Sequence, residues 1–154
     1  MARYTTDYEC SILQNLAKLA RSGIVEIGTL DGETTAMMSL TATTFIYSID
    51  PLIPDSKDVN LIGHKDLIEK NMSHYPNFKF FFGYSYDVVK TFHYPFDFLF
   101  IDGGHEYADV HQDFVNWFPK LEYGGLLAFH DSAPVISNLE SNFQGWEGPT
   151  KLVK

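Results

Sequence analysis

The stretch GIVEIGTLDGETT, residues 23–35, decides how the chain folds. Ile24-Val25-Glu26-Ile27 is a short apolar, β-branched run of the kind that suits a buried strand. Gly28 and Gly32 bracket a turn, and the residues from Gly32 to Thr43 (GETTAMMSLTAT) read as a helix of small residues and methionines. Glycine tolerates such a turn and removes the Cβ that would keep a ligand from the backbone. A strand that passes through two glycines into a helix is the first half of a crossover unit, with its turn open to a ligand.

Working outward, the same alternation recurs. Tyr8 to Arg21 predicts a helix, with Ile12, Leu13, Leu16, Leu19 and Ala20 near helical spacing and Gly23 as its stop. FIYSID (45–50), FKFFFG (78–83), FDFLFID (96–102) and LLAFHD (126–131) are four further strands. Between them lie helices over 61–75, 84–91 and 106–121, the last placing Val110, Phe114, Val115 and Phe118 toward the core. Residues 51–60 (PLIPDSKDVN) form a loop by their prolines and turn formers. Continuously apolar strands belong to a sheet covered on both faces, and strand–helix alternation makes that sheet parallel. The expected fold is a doubly wound α/β sandwich, a Rossmann-like three-layer arrangement with five parallel strands, occupying residues 1–154 as one domain. In the tail, SAPVISNLESNF (132–143) supplies a helix and GPTKLVK (148–154) part of a strand. That leaves a closing antiparallel hairpin incomplete and the fifth strand as an open edge, a surface through which a homodimer could pair.

Composition narrows the function. The 154 residues carry 20 Asp+Glu against 11 Lys+Arg, a formal charge of −9, which argues against a nucleic-acid surface. A hydrophobic fraction of 45% supports one sizeable core and excludes disorder. A lone cysteine, Cys10, rules out an intrachain disulfide framework and a Cys-rich zinc site. No apolar run reaches the roughly 18–20 residues of a membrane span, and MARYTTDYEC has no apolar leader core. The expected setting is therefore cytoplasmic, with no membrane partner.

In doubly wound sheets, ligands bind beyond the carboxyl ends of the strands. Four of the five strand ends carry an acid, namely Glu26, Asp50, Asp102 and Asp131. Acids there suit a cation, a ribose or a metal better than a phosphate. The dinucleotide pattern G-x-G-x-x-G fails at Leu30, which stands where the central glycine belongs. Asp50, 22 residues after Gly28, lies where an acid accepts ribose hydroxyls. Asp102 precedes Gly103-Gly104-His105, and His130-Asp131 ends the next strand, so Asp102 and Asp131 come within reach of one cation. Hard oxygen ligands of this kind suit magnesium or manganese. Each motif alone also fits a plainer role: Asp before Gly-Gly forms turns, and Asp131 could cap a helix. His64, His74, His93 and His111 read as solvated or capping residues, and Tyr84, Tyr86 and Tyr107 are candidates for an acceptor pocket.

VEIGTLDGETT, IYSIDP and FFGYSYDV together resemble the class I S-adenosylmethionine-dependent methyltransferases, in the E-x-G-x-x-x-G form of the catechol-type O-methyltransferases. The resemblance implies that Glu26 lies under the loop near the methionine end of the cofactor, that Gly28 and Gly32 let the cofactor lie on the backbone with Thr29 beside it, that Asp50 takes the ribose, and that Ser85 borders adenine. IDGGHEYADVHQDF…LEYGGLLAFHD is similar to a subfamily of small-molecule and sugar O-methyltransferases and, more distantly, to cephalosporin hydroxylase-like proteins. In its metal-dependent members, positions matching Asp102, His130 and Asp131 bind magnesium, and Asp102 also borders the cofactor. His105 matches a catalytic base, with Asp102 beside it. The sequence departs from the acid-pair form at His130, because nitrogen is a poorer magnesium ligand.

The expected activity is O-methylation of a small-molecule hydroxyl, using S-adenosylmethionine and a divalent cation (Mg2+ or Mn2+). Two alternatives stand beside it. One is a non-catalytic or truncated S-adenosylmethionine-binding protein, and the other an NAD-dependent oxidoreductase, which the missing central glycine opposes.

Overall fold

The chain builds α1 (Asp7–Leu19), β1 (Ile24–Ile27), α2 (Glu33–Ser39), β2 (Ile46–Asp50), α3 (Lys65–Met72) and β3 (Phe78–Phe82). It continues through α4 (Ser85–Thr91), β4 (Phe98–Ile101), α5 (Tyr107–Trp117), a 3-10 turn (Phe118–Lys120), β5 (Leu126–Phe129) and α6 (Glu147–Val153). These elements come from a computed structural model, which describes residues 5–132 and 145–154. The strands form one all-parallel sheet in the order β3-β2-β1-β4-β5, with Ile24 in register with Ile46 on one side and Phe98 on the other. All five expected strands are present and parallel. The winding direction reverses between β1 and β4, so the loops after those two strands diverge and open a crevice there.

Alternating side chains of each strand feed two cores. Val25, Ile27, Tyr47, Leu99 and Ile101 point to one face and pack with Phe92, Phe96, Val110 and Trp117. Ile24, Ile46, Phe98 and Phe100 point to the other and pack with Leu13, Ala17 and Met38. Covering both faces is what makes β1, β2 and β4 apolar at nearly every position. Burying each of these large side chains stabilises the fold by about 1.5–3 kcal/mol. β3 and β5 are the sheet edges and are only half-buried, with Phe82 at the tip of β3 exposed.

Several sequence expectations need correction. GPTKLVK is not a strand but most of α6, which packs against α5. Pro149 lies in the first helical turn, where its missing N–H costs nothing because that N–H has no helical partner. The expected helix over 132–143 lies, apart from Ser132, outside the described residues. On α5, Val115 and Phe118 are exposed; Asp113 and Trp117 take the inward positions beside Val110, while Phe114 packs at the core's margin. The helix also ends earlier than expected and tightens into the 3-10 turn at Pro119, as the lost N–H requires. On α1, Ile12 and Leu19 face solvent, and Cys10, Leu13, Ala17 and Ala20 form the buried stripe. α1 begins with a complete capping box, in which Thr6 and Glu9 bond each other's backbone N–H. Among the described residues, no helix is long and apolar enough to cross a membrane.

Candidate active site

A cavity of about 890 Å³ opens at the carboxyl ends of the strands, over the crevice between β1 and β4. Its floor is the loop after β1. Gly28 has φ +87°, and a Cβ there would stand 2.0 Å from the Asp102 carbonyl oxygen. Only glycine lets this loop lie against the loop after β4. Leu30, in place of the missing central glycine, is itself left-handed at φ 51°. Asp50 offsets that strain: its Oδ2 accepts from the N–H groups of Thr29 (2.8 Å) and Leu30 (2.9 Å). Its Oδ1 accepts from the N–H of Leu52 at 2.7 Å. With two acceptor positions per oxygen, one remains open on Oδ1, so Asp50 has room for a single ligand hydroxyl beside its structural duties.

Glu26 lies under the loop, as the resemblance implies. It is fully buried beneath the loop, is absent from the cavity wall, and its Oε2 accepts from the hydroxyls of Thr35 and Ser48. Burial pushes its carboxyl up to about 8, although the two hydroxyls pull it down. The other oxygen, Oε1, has no hydrogen-bond partner. A protonated carboxyl explains how such a group is tolerated in the core. Because the folded pKa lies above the unfolded one, Glu26 contributes stability below about pH 4.5 that is lost as pH rises toward 8. Glu26→Gln keeps the shape without the charge, so urea midpoints between pH 5 and 8 should fall less steeply in the variant than in the wild type. The slope removed is at most about 1.4 kcal/mol per pH unit.

Beyond β4 and β5 the expected residues do meet. His105 Nε2 lies 2.9 Å from Asp131 Oδ2, and His105 Nδ1 lies 3.2 Å from Asp55 Oδ2. His130 Nδ1 lies 3.0 Å from Asp102 Oδ1 and 3.2 Å from Asp131 Oδ2. Asp102, His130 and Asp131 thereby bring three candidate metal-ligating atoms within 4.8 Å of one another. Burial would lower the pKa of both imidazoles, but the surrounding carboxylates overcome it. His105 is raised above its ordinary value by Asp131 and Asp55, and His130 is pushed up to about 11 by Asp102 and Asp131. Burial would raise the Asp131 carboxyl, yet the two imidazoles hold it well below the usual range. Asp131 has φ 56°, a strained conformation that turns its side chain back between the two rings. The cluster requires positive charge among its carboxylates, and the imidazoles are placed to provide it or to share it with a metal.

Several participants were not named as site residues from the sequence. Asp55 comes from the 51–60 loop and is held by the N–H groups of Lys57 and Asp58 in an Asx turn, the Asp-Ser-Lys-Asp pattern being its faint signal. Asp113, on the inner face of α5, accepts a hydrogen bond from the Ser85 hydroxyl. Burial pushes its carboxyl up to about 7. Asp31 lines the cavity with an unpartnered, buried Oδ1, as does Thr29 with its Oγ1. Thr29, Ser85, Tyr84 and Tyr86 line the cavity as expected, and the two tyrosines stack on each other. Tyr107 does not; it stacks on His111. Trp146 closes the far wall, its ring 4.7 Å from that of His105 and its N–H bonded to the Asp131 carbonyl.

This arrangement, a doubly wound sheet with an acid-lined crevice and a phosphate-unfriendly glycine loop, defines a class that the comparisons identify. A family model described as a methyltransferase domain matches residues 25–132, and the chain belongs to that family. An uncharacterized protein of Acanthamoeba polyphaga mimivirus is 33% identical over 129 residues, spanning 78% of this chain and 57% of its own. Among solved structures, the O-methyltransferase NovP superposes with a TM-score of 0.65 at 18% identity, over 80% of this chain and 64% of that one. TomG, an O-methyltransferase of Streptomyces achromogenes involved in tomaymycin synthesis and solved with S-adenosylmethionine, gives 0.68 at 16% identity, over 97% and 67%. The chain thus spans a little over half the length of its curated mimivirus relative.

Proposed function

We propose that the chain transfers a methyl group from S-adenosylmethionine to a hydroxyl of a small molecule, with assistance from a divalent cation. The observation that carries this reading is His105, held between Asp55 and Asp131 on the wall of the cavity whose floor is the Asp50-braced loop. The unpartnered Asp31 and Thr29 oxygens fit the amino-acid end of such a donor, because a buried acceptor without a partner favours an incoming ammonium or hydroxyl. Asp50 offers its open Oδ1 position to a ribose hydroxyl, and Tyr84, Ser85 and Tyr86 border the cavity where a base would lie. The bound donor supplies an electrophilic methyl on a sulfonium, which passes to the acceptor oxygen as the C–S bond breaks and the C–O bond forms.

His105 accepts the acceptor's proton at Nδ1, the nitrogen 3.2 Å from Asp55 Oδ2, while Asp131 anchors Nε2–H. The Asp55 carboxylate stabilises the imidazolium that results. Asp102, His130 and Asp131 are the residues that would hold a cation, which supplies charge that lowers the pKa of a nearby hydroxyl. With little covalent work for the protein to do, positioning supplies most of the acceleration. Calorimetric titration with S-adenosylhomocysteine and with NAD tests the reading: the first should bind and the second should not. Binding of NAD alone would overturn it.

A further inference from the structure

His130 is nine-tenths buried, with side-chain exposure of 10%, and carboxylates face both of its ring nitrogens. Nδ1 stands 3.0 Å from Asp102 Oδ1 and 3.2 Å from Asp131 Oδ2, shared between the two carboxylates. One nitrogen shared between two carboxylates puts an imidazole atom and two carboxylate oxygens within 4.8 Å of one another, close enough to bind one ion together. The opposite nitrogen, Nε2, lies 3.4 Å from Glu9 Oε1. Glu9 is itself held in place, because its Oε2 accepts from both the N–H and the hydroxyl of Thr6 in the α1 cap. A carboxylate behind the distal nitrogen is the usual outer partner of an imidazole ligand, since it fixes the tautomer that turns the lone pair toward the ion. Asp131 has an outer partner of its own in His105.

We propose that the Asp102–His130–Asp131 centre takes a divalent transition ion of the manganese-to-zinc series and discriminates against magnesium, with His130 as the selecting ligand and Glu9 as its positioning residue. The proposal rests on the cation reading above. Magnesium demands oxygen ligands and sheds water reluctantly, so replacing one oxygen by imidazole penalises it. The borderline ions accept imidazole and carboxylate together.

Co2+ tests this on the full chain without any methyl donor, its visible absorption reporting binding. A saturable Co2+ spectrum should appear and should survive a hundredfold excess of Mg2+. His130→Asp should weaken Co2+ at least tenfold and let Mg2+ compete, and Glu9→Gln should weaken it about tenfold. No saturable spectrum, displacement by Mg2+ on equal terms, or an unchanged Co2+ affinity in His130→Asp would each overturn the proposal. If His130→Asp fails to fold, the Mg2+ competition on the wild type and the Glu9→Gln titration decide. S-adenosylhomocysteine binding, measured separately, reports on the methyltransferase reading, so the two can fail independently.

Discussion

His105→Asn should lower turnover about 10²–10⁴-fold, the usual contribution of a positioned acid–base group, while leaving S-adenosylhomocysteine affinity unchanged. The asparagine retains polarity in a site that is only 7% exposed but has no basic nitrogen to receive a proton. The pH profile separates a chemical role from a structural one. Asp131 and Asp55 raise the His105 pKa, so its neutral form is populated only above its ordinary value near 6.5. Wild-type turnover should therefore fall as pH drops through a limb lying above 6.5. That limb should be missing in His105→Asn and shifted downward in Asp55→Asn, which removes one of the two stabilising charges. Full turnover in His105→Asn, or an identical acid limb in all three proteins, would remove the base from His105.

Asp50→Ala should lower S-adenosylhomocysteine affinity at least about 100-fold, measured by calorimetry. Two losses combine. A ligand hydroxyl loses a charged acceptor, at about 1.5–3 kcal/mol, and the N–H groups of Thr29, Leu30 and Leu52 lose theirs. Without that brace, Leu30 has no reason to remain at positive φ, so the cavity floor relaxes. Asp50→Asn is the informative partner. Its single carbonyl oxygen can serve Thr29 and Leu30 but must present an amide N–H₂ to Leu52 or to the ligand, so its loss should be intermediate. Equal affinity in Asp50→Ala and wild type would detach Asp50 from the cofactor site.

The sheet was legible in the sequence because both faces are covered, which writes uninterrupted apolar runs such as FLFI into the chain. The strand-end acids Asp50, Asp102 and Asp131 were legible for a related reason, since each closes an apolar run at the carboxyl edge of the sheet. Helix faces were harder to read. On α5, Asp113 takes a buried position that hydrophobic periodicity assigns to an apolar neighbour, and only the Ser85 hydroxyl across the groove justifies it. The resemblance put Glu26 under the loop, but its partners there, Thr35 and Ser48, are connected to it by no spacing rule. Asp55 and Glu9 were invisible as site residues because they reach the cluster from a loop and from the opposite end of the chain. Their part is defined by three-dimensional closure alone.

That closure has a consequence for how the molecule assembles. Gly148 packs so closely that a Cβ on it would meet the His105 carbonyl oxygen at 2.2 Å, and Trp146 bonds to Asp131. The cluster therefore joins Glu9, Asp55, residues 102–105, residues 130–131 and α6, contacts that are distant along the chain. Each carries loop-closure entropy, so they form late, after the locally wound β1-α2-β2 and β2-α3-β3 units. The neighbouring strands of the sheet can therefore pair while the cluster at their carboxyl ends is still unassembled.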